Sequence, residues 1–396
     1  MSNKKLLTEI YNQALKAVKA DTIIRKNITL DEKDLTICNT VYPLKKINKL
    51  YLFSVGKAGL GMAKAAEKIL GPLIQGGIAI SHQEGECRFI EHHTSTHPLV
   101  SQKSIEGADK LIEAMQAMGK DDFFIFCLSG GASAMVEKPI EGICLENFQK
   151  ISSALLGSGI DIQTLNSVRK AISQIKGGKL ANHTKAKGVV LVLSDVIGDD
   201  LNTIGSAPMM NGKVPHHIIG NNTIGLNEAK KYIRSKVDKV KIVTNTLNGT
   251  SKGAAKYLAK KIEAYDKKYD SFCLLFGGET TTEVKGTGKG GRNQELALRL
   301  LNKVLVSEKI SILIAGSDGI DGNSPATGAF LETDIYKKMK KKGLDPKIYL
   351  KNSDSYTFFN ALDADFSIGP TGTNVMDFII ILKNKGMQWQ IFFRTD

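Results

Sequence analysis

Eight short runs of apolar, β-branched and aromatic residues constrain this chain more than any other feature: LYLFSV (50–55), GGIAIS (76–81), FFIFCLS (123–129), GVVLVLS (188–194), KIVTN (241–245), SFCLLFGG (271–278), SILIAGS (311–317) and DFIIILK (377–383). Runs this apolar have no polar face to show to water, so as strands they need cover on both sides. Helical patterns lie between them, and strands alternating with helices predict an α/β protein with parallel sheets. The N-terminal stretch MSNKKLLTEIYNQALKAVKA sets Leu7, Ile10, Ala14, Ala17 and Val18 at helical spacing among polar residues, which predicts an amphipathic helix and not a signal peptide. No apolar run approaches the ~18 to 20 residues that a membrane span needs. The turn-rich stretch GSAPMMNGKVPHHIIGNN (205–222) loses periodicity, so a division into residues 1–212 and 213–396 is expected.

Charge narrows the partners. Lys+Arg 54 against Asp+Glu 40 gives a net +14, but the lysines are spread along the chain apart from short runs such as KKMKKKG (337–343). With no basic arm and no interleaved aromatic platform, no nucleic-acid partner is expected. Lysine-rich solvated helix faces account for most of the excess, and an anionic small substrate suits the remainder. The five cysteines never form C-x-x-C, and Cys127 and Cys273 fall inside strand-like runs. They are expected to be reduced, buried thiols of a cytoplasmic protein.

In open parallel sheets ligands gather beyond the carboxyl ends of the strands. Those ends read Val55-Gly56-Lys57-Ala58, Leu128-Ser129-Gly130-Gly131-Ala132-Ser133, Leu193-Ser194-Asp195, Phe276-Gly277-Gly278-Glu279 and Gly316-Ser317-Asp318. The serines and backbone N–H groups of the second turn, between a strand and a helix, favour an anion; a tight turn needing glycine is the alternative. Lys57 would put a positive charge beside the positive end of a helix, which is unfavourable without an anion. The surrounding VGKAGLG is no Walker A loop, because Tyr51 stands where the first glycine would be and Ala58 where a Ser or Thr would hold magnesium. Asp195 and Asp318 have the placement to accept a proton from a hydroxyl or to ligate Mg²⁺, whereas Asp199 and Asp321 are equally explained as turn or helix caps.

The stretch GTGKGGRNQELALRLL (286–301) satisfies G-x-G-x-x-G through Gly286, Gly288 and Gly291. A dinucleotide site would want the motif directly after a strand, yet Thr280 to Lys285 intervenes. Arg292 follows the last glycine, and a guanidinium beside flexible backbone suits phosphate or carboxylate. A phosphate cradle that includes Gly288, Gly290, Gly291 and Asn293 is therefore expected over a nicotinamide site. His92, His93 and His97 invite a metal assignment, but Thr94, Ser95, Thr96 and Pro98 argue against a helix that would give them a shared face.

Taken together, Lys57, SGGASA (129–134), SDVIGDD (194–200) and GTGKGGRNQELAL resemble the type II glycerate kinases, the glycerate 2-kinase family whose C-terminal half is called the MOFRL domain. The likeness extends through LNSVRKAISQIKGGKLA (165–181), VLSDVIGDDLNTIGSAP (192–208), AGSDGIDG (315–322), YLKNSDSYTFF (349–359) and GPTGTNVMDFII (369–380). It implies two α/β domains, with a largely parallel, Rossmann-like sheet in the first, a MOFRL-type second and an active site in the cleft. It further implies transfer of the ATP γ-phosphoryl group, with Mg²⁺, to the 2-hydroxyl of D-glycerate, giving 2-phosphoglycerate. Lys57, Asp195 and Arg292 match the family's catalytic positions. Thr373 and Asn374, in GPTGTNVMDFII, join Gly56, Ser129, Gly130, Gly131, Ser133, Gly277, Gly278 and Glu279 as binding residues, with Asp318 the metal ligand. The chain departs from the family after Ser206-Ala207-Pro208, where a longer segment is usual, and at Thr96-His97-Pro98-Leu99-Val100-Ser101. A related hydroxy or sugar acid is thus the alternative acceptor; a nicotinamide-dependent hydroxypyruvate reductase and a non-catalytic binding protein are the rival functions. Self-association is left open.

Overall fold

The computed structural model describes residues 2–157, 162–301, 303 and 309–384, and the chain forms two units. In the first, β1 (Ile28–Leu30), β2 (Asp34–Ile37) and β3 (Thr40–Pro43) make a small antiparallel sheet. The main sheet contains β4 (Leu50–Val55), β5 (Ile74–Ser81), β6 (Glu91–Thr94), β7 (Phe123–Ser129), β8 (Lys187–Leu193) and β9 (His216–Gly220). Its order is β6-β5-β4-β7-β8-β9 and every pairing is parallel. All of β7 is buried, as its unbroken apolar sequence requires when helices cover both faces. The helix Gly59–Leu70 follows β4, and its buried Glu67 accepts the N–H groups of Arg88, Phe89 and Ile90 at 2.9, 2.7 and 3.2 Å. An acid is tolerable there because three donors replace its water.

The second unit is built on β10 (Lys239–Leu247), β11 (Phe272–Gly278), β12 (Ile310–Gly316), β13 (Gly328–Leu331), β14 (Asp365–Phe366) and β15 (Asp377–Lys383). The order is β10-β11-β15-β12-β13-β14, with β15 antiparallel to both of its neighbours. This sheet is mixed, and DFIIILK gives no sign of it: a central strand is apolar on both faces whichever way it runs. The core joins β11, β12 and β15 to the helices Ser251–Asp266 and Arg292–Leu301 through Leu258, Phe272, Phe276, Leu296, Leu300 and Ile379.

The units are not halves of the chain. One comprises Val18–Asn221 with Gly372–Val375, and the other Asn222–Thr371 together with β15 and the helix Asn3–Ala17. The division expected at residue 212 falls after Asn221, because the turn-rich stretch leads into β9, which pairs with β8 and completes the first sheet. The N-terminal helix, expected with the first domain, belongs to the second unit. Its apolar stripe buries Leu7, Ile10 and Tyr11; the Tyr11 hydroxyl donates to the Gly316 carbonyl at 2.7 Å, and its ring meets Phe366 and Phe378 edge-on.

The five cysteines are free thiols, but only Cys127 and Cys273 are buried; Cys38 and Cys87 are partly covered and Cys144 is exposed. Among the described residues no helix is long and apolar enough to cross a membrane.

Candidate active site

In the first unit the predicted strand ends come together, because β4, β7 and β8 are neighbours in one parallel sheet and end level with one another: Val55 pairs with Leu128, and Ser129 with Leu193. The turn after β4 crosses the turn after β7, with the Lys57 N–H donating to the Gly130 carbonyl at 2.8 Å and the Ala58 N–H to Ser129 Oγ at 3.1 Å. Asp195, just beyond β8, lies against the same turn. A Cβ added to Gly130 would stand 1.7 Å from Asp195 Oδ2, so only glycine lets this carboxylate approach the backbone. The Asn374 side-chain amide donates to Asp195 Oδ2 at 3.2 Å, and Thr373 ties the same segment down by donating to the Val18 carbonyl at 2.7 Å.

Lys57 runs along the other side of the turn. A Cβ on Gly131 would meet Lys57 Cγ and His97 Cδ2, each at 3.0 Å. With the described residues the Lys57 ammonium makes no hydrogen bond or ion pair. His97 is exposed as a residue, but its ring is partly desolvated, and that together with the charges of Lys57 and His82 depresses its pKa to about 4. It is a neutral imidazole at neutral pH. The histidines belong to β6 and the turn after it, as the non-helical spacing requires, and no group of three or more His, Cys, Asp or Glu suited to a metal exists among the described residues.

Two serines expected as anion donors are otherwise engaged. Ser129 is 1% exposed and its hydroxyl serves Ala58. Ser133 Oγ accepts from Ser206 at 2.9 Å, while its carbonyl accepts from Lys176 at 2.9 Å. Gly56 likewise packs its backbone on Ser129, where a Cβ would come within 2.3 Å of Oγ.

The glycine loop of the second unit differs from the phosphate cradle expected for it. The Gly288 N–H donates to the Asn352 carbonyl at 3.1 Å, Lys289 N–H to Asp354 Oδ1 at 2.9 Å, and Gly290 N–H to Asn323 Oδ1 at 2.8 Å. At the start of the helix Arg292–Leu301, Asp321 accepts the Asn293 and Gln294 N–H groups at 3.0 and 2.8 Å. The protein's own carboxylate occupies the positive end of this helix, the place an external phosphate would take. A Cβ on Gly291 would lie 2.3 Å from Asp321 Oδ1, so this glycine admits the cap. Burial pushes Asp321 up to about 7, opposed by the Gln294 and Asn293 amides and by Arg292, and reinforced by Asp377.

Arg292 is held by two acids. Its Nε and Nη2 donate to the two oxygens of Asp377 at 2.7 and 2.9 Å, and Nη1 donates to Glu279 Oε1 at 2.7 Å. Burial lowers its pKa, but Asp377, Glu279 and Asp321 more than reverse this and the net shift is upward. Asp377 also accepts from the Asn293 side chain at 3.0 Å. Asp377 and Asp321 are the site residues that sequence reasoning missed or discounted; the available signal for Asp377 was an acid opening an otherwise apolar strand. Gly277 and Gly278 close β11: a Cβ on Gly277 would run into Asn222 Oδ1, and the next N–H, of Glu279, donates to the Leu247 carbonyl at 2.8 Å. Asp318 shapes the turn after β12, its Oδ1 accepting the Ile320 N–H at 3.2 Å.

Fold and site define a two-unit α/β protein in which Lys57 and Asp195 stand just beyond strand ends of the first unit and Arg292 opens a helix of the second. Residues 6–219 match the family model described as a domain of unknown function, DUF4147, and residues 272–377 match the MOFRL family; the chain belongs to the family these two define. It is similar to a D-glycerate 2-kinase of Thermotoga maritima, at 35% identity with 96% of this chain and 98% of that protein covered. A glycerate 2-kinase of Pyrococcus horikoshii is 30% identical, with 96% and 98% covered. Among solved structures, a glycerate kinase of Thermotoga maritima superposes with a TM-score of 0.86 at 34% identity, covering 96% of this chain and 99% of that one.

Proposed function

We propose that this chain is a kinase that transfers the γ-phosphoryl group of ATP to the 2-hydroxyl of D-glycerate, giving 2-phosphoglycerate and ADP. The observation that carries this reading is the pairing of Lys57 and Asp195 across the Gly130-Gly131 turn, in a chain similar over 96% of its length to a D-glycerate 2-kinase. Phosphoryl transfer asks for positioning and for neutralisation of spreading charge more than for covalent chemistry. Lys57, a cation with no hydrogen-bond or ion-pair partner among the described residues, takes the charge on the transferring oxygens. Asp195, oriented by Asn374, accepts the proton of the 2-hydroxyl as its oxygen bonds to the γ-phosphorus and the bond from that phosphorus to the ADP oxygen breaks. Arg292 commits three of its five N–H groups to Asp377 and Glu279, which leaves two for an anion in a fixed orientation.

Mg²⁺ supplies charge neutralisation on the phosphates when bound. Mg²⁺ in such sites is commonly held by one or two carboxylates besides the nucleotide's phosphates, and Asp318 is the carboxylate that would hold it here. The nicotinamide alternative has little support, because the glycine loop's N–H groups already have acceptors. The test is incubation with ATP, Mg²⁺ and D-glycerate, following ADP release and identifying the product by phosphorus NMR. A 2-phosphoglycerate signal is expected. ATP consumed only with a longer hydroxy acid would move the acceptor, and no phosphorylated product with any hydroxy acid would overturn the reading.

A further inference from the structure

The run LNSVRKAISQIKGGKLA (165–181) has no role in the reaction as derived so far, yet its Arg169 and Lys176 wall a cavity. In the first unit a cavity of about 410 Å³ is lined by Arg169, Ser152, Gln149 and Phe148 on one side and by Gly131 and Ser133 on the other. The geometry points to this cavity as the seat of the acceptor's carboxylate, with Arg169 as its anchor; the inference rests on the kinase reading above and extends it to the substrate's acid group.

Charge counting supports it. Lys176, which also lines the cavity, is fully buried and paired with the buried Glu137. Glu137 accepts in addition from Ser173 Oγ at 2.5 Å and from the Lys138 N–H at 3.0 Å. Its charge is therefore taken up by Lys176. Arg169 is a second cation beside a single neutralised carboxylate; it is half-buried and makes no hydrogen bond or ion pair with the described residues. Burial lowers its pKa against the pull of Glu137. A partly desolvated guanidinium without a partner is unfavourable until an anion meets it.

A second observation is independent of charge. Ser152 Oγ is buried and has no hydrogen-bond partner among the described residues, and such a hydroxyl is satisfied when a ligand supplies the missing group. The excess of one positive charge suits a carboxylate, which a guanidinium binds through two parallel hydrogen bonds; a triphosphate would bring several negative charges to a cavity with one to spare. Gly131, which also flanks the Lys57 stem, sets an acid held here next to the phosphoryl-handling end of the turn.

The test uses the full chain. Wild-type turnover of ATP with D-glycerate, with product identified, decides the kinase reading by itself. Titration calorimetry of D-glycerate into wild type and Arg169→Met, with steady-state kinetics where turnover exists, decides the anchor. We expect Arg169→Met to weaken D-glycerate binding and raise its KM roughly 30- to 100-fold, the loss of a charged hydrogen-bonded pair. The KM for ATP should stay where it was and kcat should change much less than KM. Arg169→Lys keeps the charge but not the fork and should lose roughly tenfold; it also serves if the methionine variant does not fold. Ser152→Ala should raise the same KM a few-fold. Unchanged glycerate binding in Arg169→Met, or a raised KM for ATP in its place, overturns the anchor while leaving the kinase reading intact. Wild-type calorimetry that finds no D-glycerate binding overturns it too.

Discussion

Both units present a glycine-rich turn ahead of a helix with a cation beside it, but they treat the cation in opposite ways. In the first unit Lys57 and Arg169 make no ion pair with an acid among the described residues, and the Gly130-Gly131 turn brings lysine and aspartate to its two sides. In the second, Arg292 is gripped by Asp377 and Glu279, and the following helix is capped by Asp321. The same residue types thus leave Lys57 and Arg169 without a paired acid among the described residues in one place and fix Arg292 between two acids in the other, with only part of its guanidinium left for a ligand. A glycine-plus-cation motif alone does not say which; the acids delivered by distant strands do.

The contrast predicts different failures. Lys57→Met and Asp195→Asn should each lower kcat by roughly 10³-fold with little change in Tm, since neither side chain carries the core. Arg292→Met should lose roughly 10²-fold in kcat and, unlike the first pair, about 3 kcal/mol of stability, because the buried Asp377 would keep the Asn293 amide but lose its counter-charge. Thermal unfolding beside steady-state kinetics checks both. Equal Tm values for Lys57→Met and Arg292→Met would break the comparison.

Glycine substitutions sharpen it next. Gly130→Ala should push the Asp195 carboxylate off the turn and reduce kcat by roughly 10²-fold. Gly291→Ala should instead displace the Asp321 cap, lower stability by about 1 to 2 kcal/mol and affect kcat less. Paired kinetics and denaturant titrations separate the two outcomes.

The smallest effect is in pH, and it has opposite sign in the two units. Asp321 is raised to about 7 from its ordinary 3.8; the stability this confers is complete below the ordinary value and is lost as pH rises through about 7. His97 is depressed to about 4 from 6.5; its contribution is complete above the ordinary histidine value and is lost as pH falls through about 4. Hydrogen exchange of β12 against β7, corrected for intrinsic rates, should show these opposed trends. Asp321→Asn should flatten the first, and a His97 NMR titration should give a midpoint near 4 that rises in Lys57→Met.

Much of this was legible in the chain. Unbroken apolar runs had to become doubly covered strands, and residues just past them had to sit at one edge of a parallel sheet; Lys57, Gly130 and Asp195 followed from those two facts. The internal acceptors of the Gly288–Gly290 N–H groups were not legible, because a glycine loop advertises bare N–H groups while Asn323, Asn352 and Asp354 lie tens of residues away. The direction of β15 was equally hidden, since a buried strand looks the same from either end.

The sequence by itself determined which segments are strands, where backbone must come close to a side chain, and which cation and carboxylate stand at the ends of β4 and β8. These depend on local periodicity and on the absence of a Cβ, both written residue by residue. Only the tertiary structure decided that Asp377 and Glu279 hold Arg292, that Asp321 caps its helix, that Glu137 pairs with Lys176 and not with Arg169, and that the N-terminal helix packs in the second unit. Each of these is a pairing between residues far apart in the chain, and charge compensation depends on distance in space, which no local pattern encodes.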